Sequence, residues 1–266
     1  MKLSGNFSIL FIAVLTFTSC EKVIEVKLND ALKKYVIEGN ITNQPGDCAV
    51  KITQSKSFSG DNNFPGISGA TVTISDNGGT PVTLAETSQG NYATSALTGT
   101  TGHLYALSVK IDGQAFNASS AMPGIVTLDS LYSEDRVLFG DSSKIINVVY
   151  KDPPAKGNAY HFILYKNNVQ EKTVFVTNDD YTNGNTVTNE LLFFDDDKKT
   201  KLKAADTVKV VMECIDPFIY QYWFSIDGAT GESNNATPAN PVSNITGGAL
   251  GYFSAHTTQN KTVVVK

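Results

Sequence analysis

The side chains able to do chemistry are few, and their spacing brings none of them together. The chain contains three histidines, His103, His161 and His256, and no two share a metal-ligand spacing such as HxxxH. Each precedes or sits inside an alternating apolar pattern, so each reads as a surface or hydrogen-bonded strand histidine. There is no Gly-x-Ser-x-Gly elbow, phosphate-binding glycine loop or dinucleotide fingerprint. With no nucleophile, base and orienting group to name, the expectation is a protein without catalytic residues, metal or cofactor. Residues 179–190 partly imitate a calcium loop, with Asp179 at position 1, Gly184 at 6 and Glu190 at 12. Tyr181 at position 3 is no ligand and strand patterns flank the segment, so it reads instead as an Asn/Gly-rich hairpin loop. Asp195, Asp196 and Asp197, followed by Lys198 and Lys199, read as a solvated turn.

Aromatic rings offer a second kind of chemistry, stacking on a ligand. Tyr220 and Trp223 are the candidate ligand-binding residues, with Phe224 beside them and a glycan or peptide as the ligand. The same segment also needs a core-facing stripe, which Phe218, Tyr222 and Ile226 supply at four-residue spacing. Two tripeptides, Asp129-Ser130-Leu131 and Asp206-Thr207-Val208, resemble a bacterial O-glycosylation pattern and make Ser130 and Thr207 candidate acceptors.

The N-terminus indicates the compartment. Lys2 provides a positive n-region, and residues 7–17 form an apolar stretch too short to span a bilayer. Phe17-Thr18-Ser19-Cys20 resembles a lipobox, which makes Cys20 the lipidation site and residues 1–19 a lipoprotein signal peptide. Acyl chains at roughly 0.8 kcal/mol per buried CH₂ would anchor the mature chain without a spanning helix. Such an anchor would put the chain on the periplasmic or cell-surface face of a membrane. That location permits a disulfide between Cys48 and Cys214. Both also lie in apolar-patterned strands, where a free Cys is buried as a small hydrophobe.

Composition narrows the remaining classes. The 266 residues are 41% hydrophobic and only 18% charged, with 27 Thr, 22 Asn, 21 Ser and 21 Gly. Such β-branched and turn-rich content favours sheets over helical bundles. A formal net charge of −5 and a single Arg, Arg136, argue against nucleic acid as a partner.

The elements that would position these residues follow from period and punctuation. Residues 20–34 read as a lipidated tether. From 35 to 123, short alternating runs recur at the interval of a sandwich, so the segment reads as an immunoglobulin-like β-sandwich. Its strands are 35–39, 48–54, 70–75, 82–86, a run starting at Gly90, 104–111 and 115–120, with Asp76, Asn77, Gly78 and Gly79 as a hairpin turn. Met122, Pro123 and Gly124 mark a boundary, and 124–266 reads as a second β-rich domain. Its clearest strands are 145–150, 160–165, 174–177, 191–194, 208–215, 250–255 and 262–265. Asp216 and Pro217 form an N-cap and first-turn signal for one short helix near 217–227, with Gly228 as its stop. The fold class is therefore mainly β, a sandwich followed by a β-rich domain carrying one helix.

Several stretches together carry a family resemblance. Cys20-Glu21-Lys22-Val23-Ile24, Tyr35-Val36-Ile37-Glu38-Gly39-Asn40-Ile41-Thr42 and Ser68-Gly69-Ala70-Thr71-Val72-Thr73-Ile74 come first. Gly90-Asn91-Tyr92, Tyr222-Trp223 and Leu250-Gly251-Tyr252-Phe253-Ser254-Ala255 follow. In this order they resemble a Bacteroidetes outer-membrane lipoprotein family described as domain of unknown function forty-two forty-nine. The resemblance implies an N-terminal immunoglobulin-like sandwich, a β-rich second region and no known catalytic residues to carry over. It also implies a lipid-anchored location in the outer membrane and company with TonB-dependent receptors. The expected function is a non-catalytic accessory or binding subunit of a TonB-dependent nutrient-uptake system. The alternative is a structural or adhesive cell-envelope lipoprotein.

Overall fold

The computed structural model describes residues 33–56, 61, 63–138, 141–192, 201–230 and 240–266. The signal segment, Cys20, the tether as far as residue 32 and the turn at 195–199 lie outside the described residues. What is described is mainly β, with several sheets and one helix.

The strands of the first half sort into two layers. Strands β1 (Tyr35–Thr42), β2 (Cys48–Gln54), β5 (Ala85–Ser88) and β6 (Asn91–Ala93) belong to the larger sheet. A four-stranded sheet runs β4 (Val82–Thr83), β3 (Thr71–Asp76), β7 (Leu104–Ile111), β8 (Gln114–Ala121). The two share one core, in which Ile37, Ile52, Val72, Tyr105, Val109 and Phe116 meet. This face-to-face packing is consistent with an immunoglobulin-like sandwich. The alternation in β7 is the cause in miniature: Tyr105, Leu107, Val109 and Ile111 are buried while Leu104, Ala106 and Lys110 are exposed. The single strand expected over 82–86 is in fact two. Leu84 is buried between β4, which pairs with β3, and β5, which pairs with β6, so the chain changes sheets there.

The second half repeats the arrangement less regularly. Strands β11 (Ala159–Lys166), β12 (Val169–Gln170), β13 (Phe175–Asn178) and β15 (Thr207–Ile215) extend the large sheet. Strands β9 (Leu128–Leu138), β10 (Asp141–Lys151) and β14 (Thr186–Leu191) make a three-stranded sheet over it. Between them lie Leu128, Ile146, Val148, Tyr150, Phe162, Val210 and Met212. Strand β9 has no counterpart in the sequence reading, and of the strand expected over 191–194, Leu191 closes β14 while 193 and 194 lie outside the described residues.

One strand joins the halves. β16 (Leu250–Val264) is a continuous 15-residue strand rather than the two short ones the sequence suggests. Its first part pairs in parallel with β1, from Val36↔Leu250 to Thr42↔His256. Its second part pairs antiparallel with β15, from Cys214↔Thr257 to Thr207↔Val264. Phe253 and Ala255 therefore complete the first core although they lie far beyond the boundary at 122–124. The edge of β16 left free opposite β1 is closed by side chains. Asn244 Oδ1 accepts from Phe253 N at 3.0 Å and Ser120 Oγ accepts from Ala255 N at 2.9 Å.

The helix α1 (Pro217–Thr230) follows β15 directly. Asp216 Oδ1 accepts from Phe218 N at 2.9 Å and Ile219 N at 3.1 Å, which is the N-cap expected of it. Its Oδ2 accepts from the Ser120 hydroxyl, so the cap also ties the helix to β8. The buried face differs from the expected Phe218–Tyr222–Ile226 stripe. Ile219 and Tyr222 are buried, Trp223 and Ile226 half-buried, and Phe218 is 66% exposed. The spacing of 219, 222, 223 and 226 is itself helical, rotated from the expected stripe by about one residue. The helix also runs past Gly228.

Candidate functional site

The large sheet has one face turned to the two cores. On its other face, register alone lines up a polar row. In β15 the apolar positions Val208, Val210, Met212 and Cys214 point into the core, which puts Glu213 on the opposite face. His161 is its direct cross-strand partner on β11. Tyr252, Ser254 and His256 alternate with the core residues Phe253 and Ala255 on β16, and Asn40 and Thr42 stand opposite Ser254 and His256 on β1. The row crosses the sheet where β16 changes partners.

Two elements cover it. Helix α1 packs on β11, β13 and β16, setting Trp223 against the His161 ring with centroids 4.4 Å apart and planes 14° from parallel. Tyr252 lies 5.3 Å from Trp223 and 4.8 Å from Tyr222. The second cover is a bulge. Phe162 pairs with Phe175 and Tyr165 with Gln170, so four residues, 171–174, stand opposite two on β11. Under these covers is a cavity of about 520 Å³, whose lining includes Asn40, His161, Lys172, Glu213, Trp223, Tyr252, Ser254 and His256.

At its floor Glu213 is held by both imidazoles. His161 Nδ1 lies 2.8 Å from Oε2 and His256 Nε2 lies 3.4 Å from Oε1. A carboxylate only accepts, so the His161 proton sits on Nδ1. The two histidines are 5% and 4% exposed, so this is a buried ion cluster. Burial alone would raise the Glu213 carboxyl, but His256 and His161 outweigh it and hold it well below the usual carboxylate range. Burial likewise opposes charge on His256, yet Glu213 raises its pKa above the ordinary value. Nδ1 of His256 lies 2.9 Å from Ser254 Oγ, so this imidazole bridges the carboxylate and the hydroxyl.

Ser254, His256 and Glu213 stand in the order of nucleophile, base and orienting acid. The N–H groups on either side, of Phe253 and Ala255, are already spent on Asn244 and Ser120. An oxyanion formed beside Ser254 would find neither of these N–H groups free.

A family model described as "Domain of unknown function (DUF4249)" matches residues 21–262. The chain belongs to this family. No curated protein matches it. The motifs that carry the family resemblance prove to be neighbours. Tyr35–Thr42 forms the ladder partner of the Gly251-to-Ala255 stretch, and Tyr222 and Trp223 pack on Tyr252.

The remaining candidate residues disperse. Trp223 joins the cavity, whereas Tyr220 lines a smaller one of about 280 Å³ with Asn158, Asp179 and Pro217, and stacks on Phe224 at 5.6 Å. His103 pairs with Asp76 at 2.7 Å, away from the other two histidines. In the calcium-like loop, Asp179 Oδ2 accepts from Asn158 N at 2.8 Å while Glu190 pairs with Arg136. Among the described residues, no group of three or more His, Cys, Asp or Glu side chains is arranged to hold a metal ion. Cys48 and Cys214 are both free and buried, which closes the disulfide alternative. Ser130 and Thr207 are exposed strand residues. None of the described helices is long and apolar enough to cross a membrane.

The spacing of His161, Glu213 and His256 did not reveal the cluster, because only sheet register unites them. One signal was present: a lone Glu in the otherwise apolar run Val210-Val211-Met212-Glu213-Cys214-Ile215, and a lone His between Tyr160 and Phe162.

Proposed function

We propose that this chain is a non-catalytic outer-membrane lipoprotein, anchored through Cys20, that serves as an accessory or binding subunit of a TonB-dependent nutrient-uptake system. The observation that carries the reading is the covered cavity over the His161–Glu213–His256 floor. Its volume falls in the range of small-ligand sites, and its polar groups converge from four strands and a helix. A structural or adhesive spacer has no use for such a cavity, which is why the binding role is preferred. The lipid would hold the sheets at the membrane, where the protein presents its cargo to the receptor. Mild crosslinking of native membranes followed by detergent pull-down tests this: recovery of an outer-membrane receptor is expected. Its absence, together with an unlipidated Cys20 in the mature protein's mass, overturns the reading.

A further inference from the structure

We infer that the cavity over Glu213 is a site for an uncharged, polyhydroxylated ligand of about monosaccharide size, a specificity that rests on the binding role proposed above. Charge decides first. Glu213 is enclosed within the floor, and the carboxylate's two oxygens are each engaged by an imidazole. On the rim, Asp47 accepts from the Thr42 hydroxyl at 2.8 Å, and Glu171 and Lys172 are adjacent residues of opposite sign. Asp47 and Lys172 are exposed, where water screens them, so the buried floor offers a charged ligand no free counter-charge and its desolvation would go uncompensated.

Hydrogen bonding decides second. The floor presents groups that both give and take: the Asn40 amide, the Tyr252 phenol and the Ser254 hydroxyl, which His256 Nδ1 engages on one side only. Because Nδ1 of His161 is committed to Glu213, Nε2 is its remaining nitrogen. Ligand hydroxyls, each a donor and an acceptor, match such a set, whereas a purely apolar ligand would strand it. The Trp223 and Tyr252 rings add apolar surface for the C–H groups of the same ligand.

Trp223 is the single tryptophan of the chain, so its fluorescence reports this cavity alone. Purified full chain is titrated with glucose, galactose, mannose and N-acetylglucosamine, and with glycine and inorganic phosphate as charged probes. A saturable change with at least one sugar, and none with glycine or phosphate, is expected. Asn40→Ala and Tyr252→Phe should each raise that Kd about tenfold, the loss of one well-placed hydrogen bond, with the thermal melt retained. No saturable change with any sugar up to tens of millimolar overturns the inference. So does an equal response to glycine or phosphate, or an unchanged Kd in both variants. The receptor pull-down does not depend on these titrations, so either proposal can fail while the other stands.

Discussion

Two charged cross-strand pairs sit on the same face of the same sheet and differ above all in what covers them. Glu38 on β1 faces Lys51 on β2 at 3.9 Å, with side chains 42% and 55% exposed. His161 on β11 faces Glu213 on β15 at 2.8 Å, with side chains 6% and 14% exposed. The ladder geometry is common to both, so the site is not made by the sheet. It is made by the helix and the bulge laid over one end of it. In the first half the outer face of the large sheet meets water and its pair is an ordinary surface contact. In the second half the sheet is covered on both faces, and the same kind of pair becomes a buried, ordered polar floor.

The most severe way to break this comparison is to part the two regions at the strand they share. Gly251 has φ +98°, and a Cβ there would lie 2.0 Å from the Ile37 carbonyl oxygen, a backbone atom that cannot step aside. Gly251→Val is expected to disrupt the β1–β16 ladder and cost on the order of 4 kcal/mol or more, against about 1 kcal/mol for Gly78→Ala, whose φ is +71° but whose Cβ meets open space. Denaturant unfolding of the two variants makes the comparison.

Next in size is removal of the buried carboxylate. Glu213→Ala removes the carboxylate that both buried imidazoles engage and should cost about 3–5 kcal/mol. The pH profile tells this apart from a packing defect. Glu213, with its pKa lowered, contributes stability that is present above the ordinary value of about 4.5 and lost as pH falls through the depressed one. His256, with its pKa raised, contributes stability that is full below about 6.5 and lost as pH rises through the raised one. Melting temperature should therefore decline on the alkaline side of about pH 6.5, and Glu213→Ala should flatten that decline. A wild-type profile already flat there would contradict the ion-cluster assignment.

What could be read beforehand follows the same division. Strands with one wet face, such as β2 and β7, announce themselves by alternation, and the turn at Asn77 and Gly78 takes the positive φ its residues invite. Doubly covered strands do not alternate: β11 begins with four buried residues in succession, Ala159 to Phe162. β16 was read as two pieces because His256 to Lys261 is polar on both faces. It stays a strand because β15 takes over where β1 ends. The helix signal at Asp216 was local and held, whereas its buried face depended on which way the sheet lay beneath it. The site failed to show for the same reason, since 52 residues separate His161 from Glu213 and only their register joins them.

Loosening the cover should have a smaller effect than removing the charge. Asp216→Ala takes away the N-cap of α1 and the acceptor of the Ser120 hydroxyl, for an expected loss of about 2 kcal/mol. Hydrogen exchange should quicken in α1 while β7, on the far side of the first core, keeps its protection. Equal loss of protection in β7 would mean that the cover and the first sandwich are a single cooperative unit.

The smallest effect belongs to the uncovered pair, and it is the most discriminating. Lys51 and Glu38 are both substantially exposed, so water screens their attraction and ordering two long side chains offsets much of what remains. Lys51→Ala should change unfolding free energy by less than about 1 kcal/mol, and added salt should erase the difference. The double-mutant cycle with Glu38→Ala should give a coupling near zero, against a coupling of a few kcal/mol for His161 and Glu213 measured in the same way. If the two couplings came out alike, ladder geometry and not cover would be setting the energy of the buried pair. The helix and bulge would then have no part in making the site.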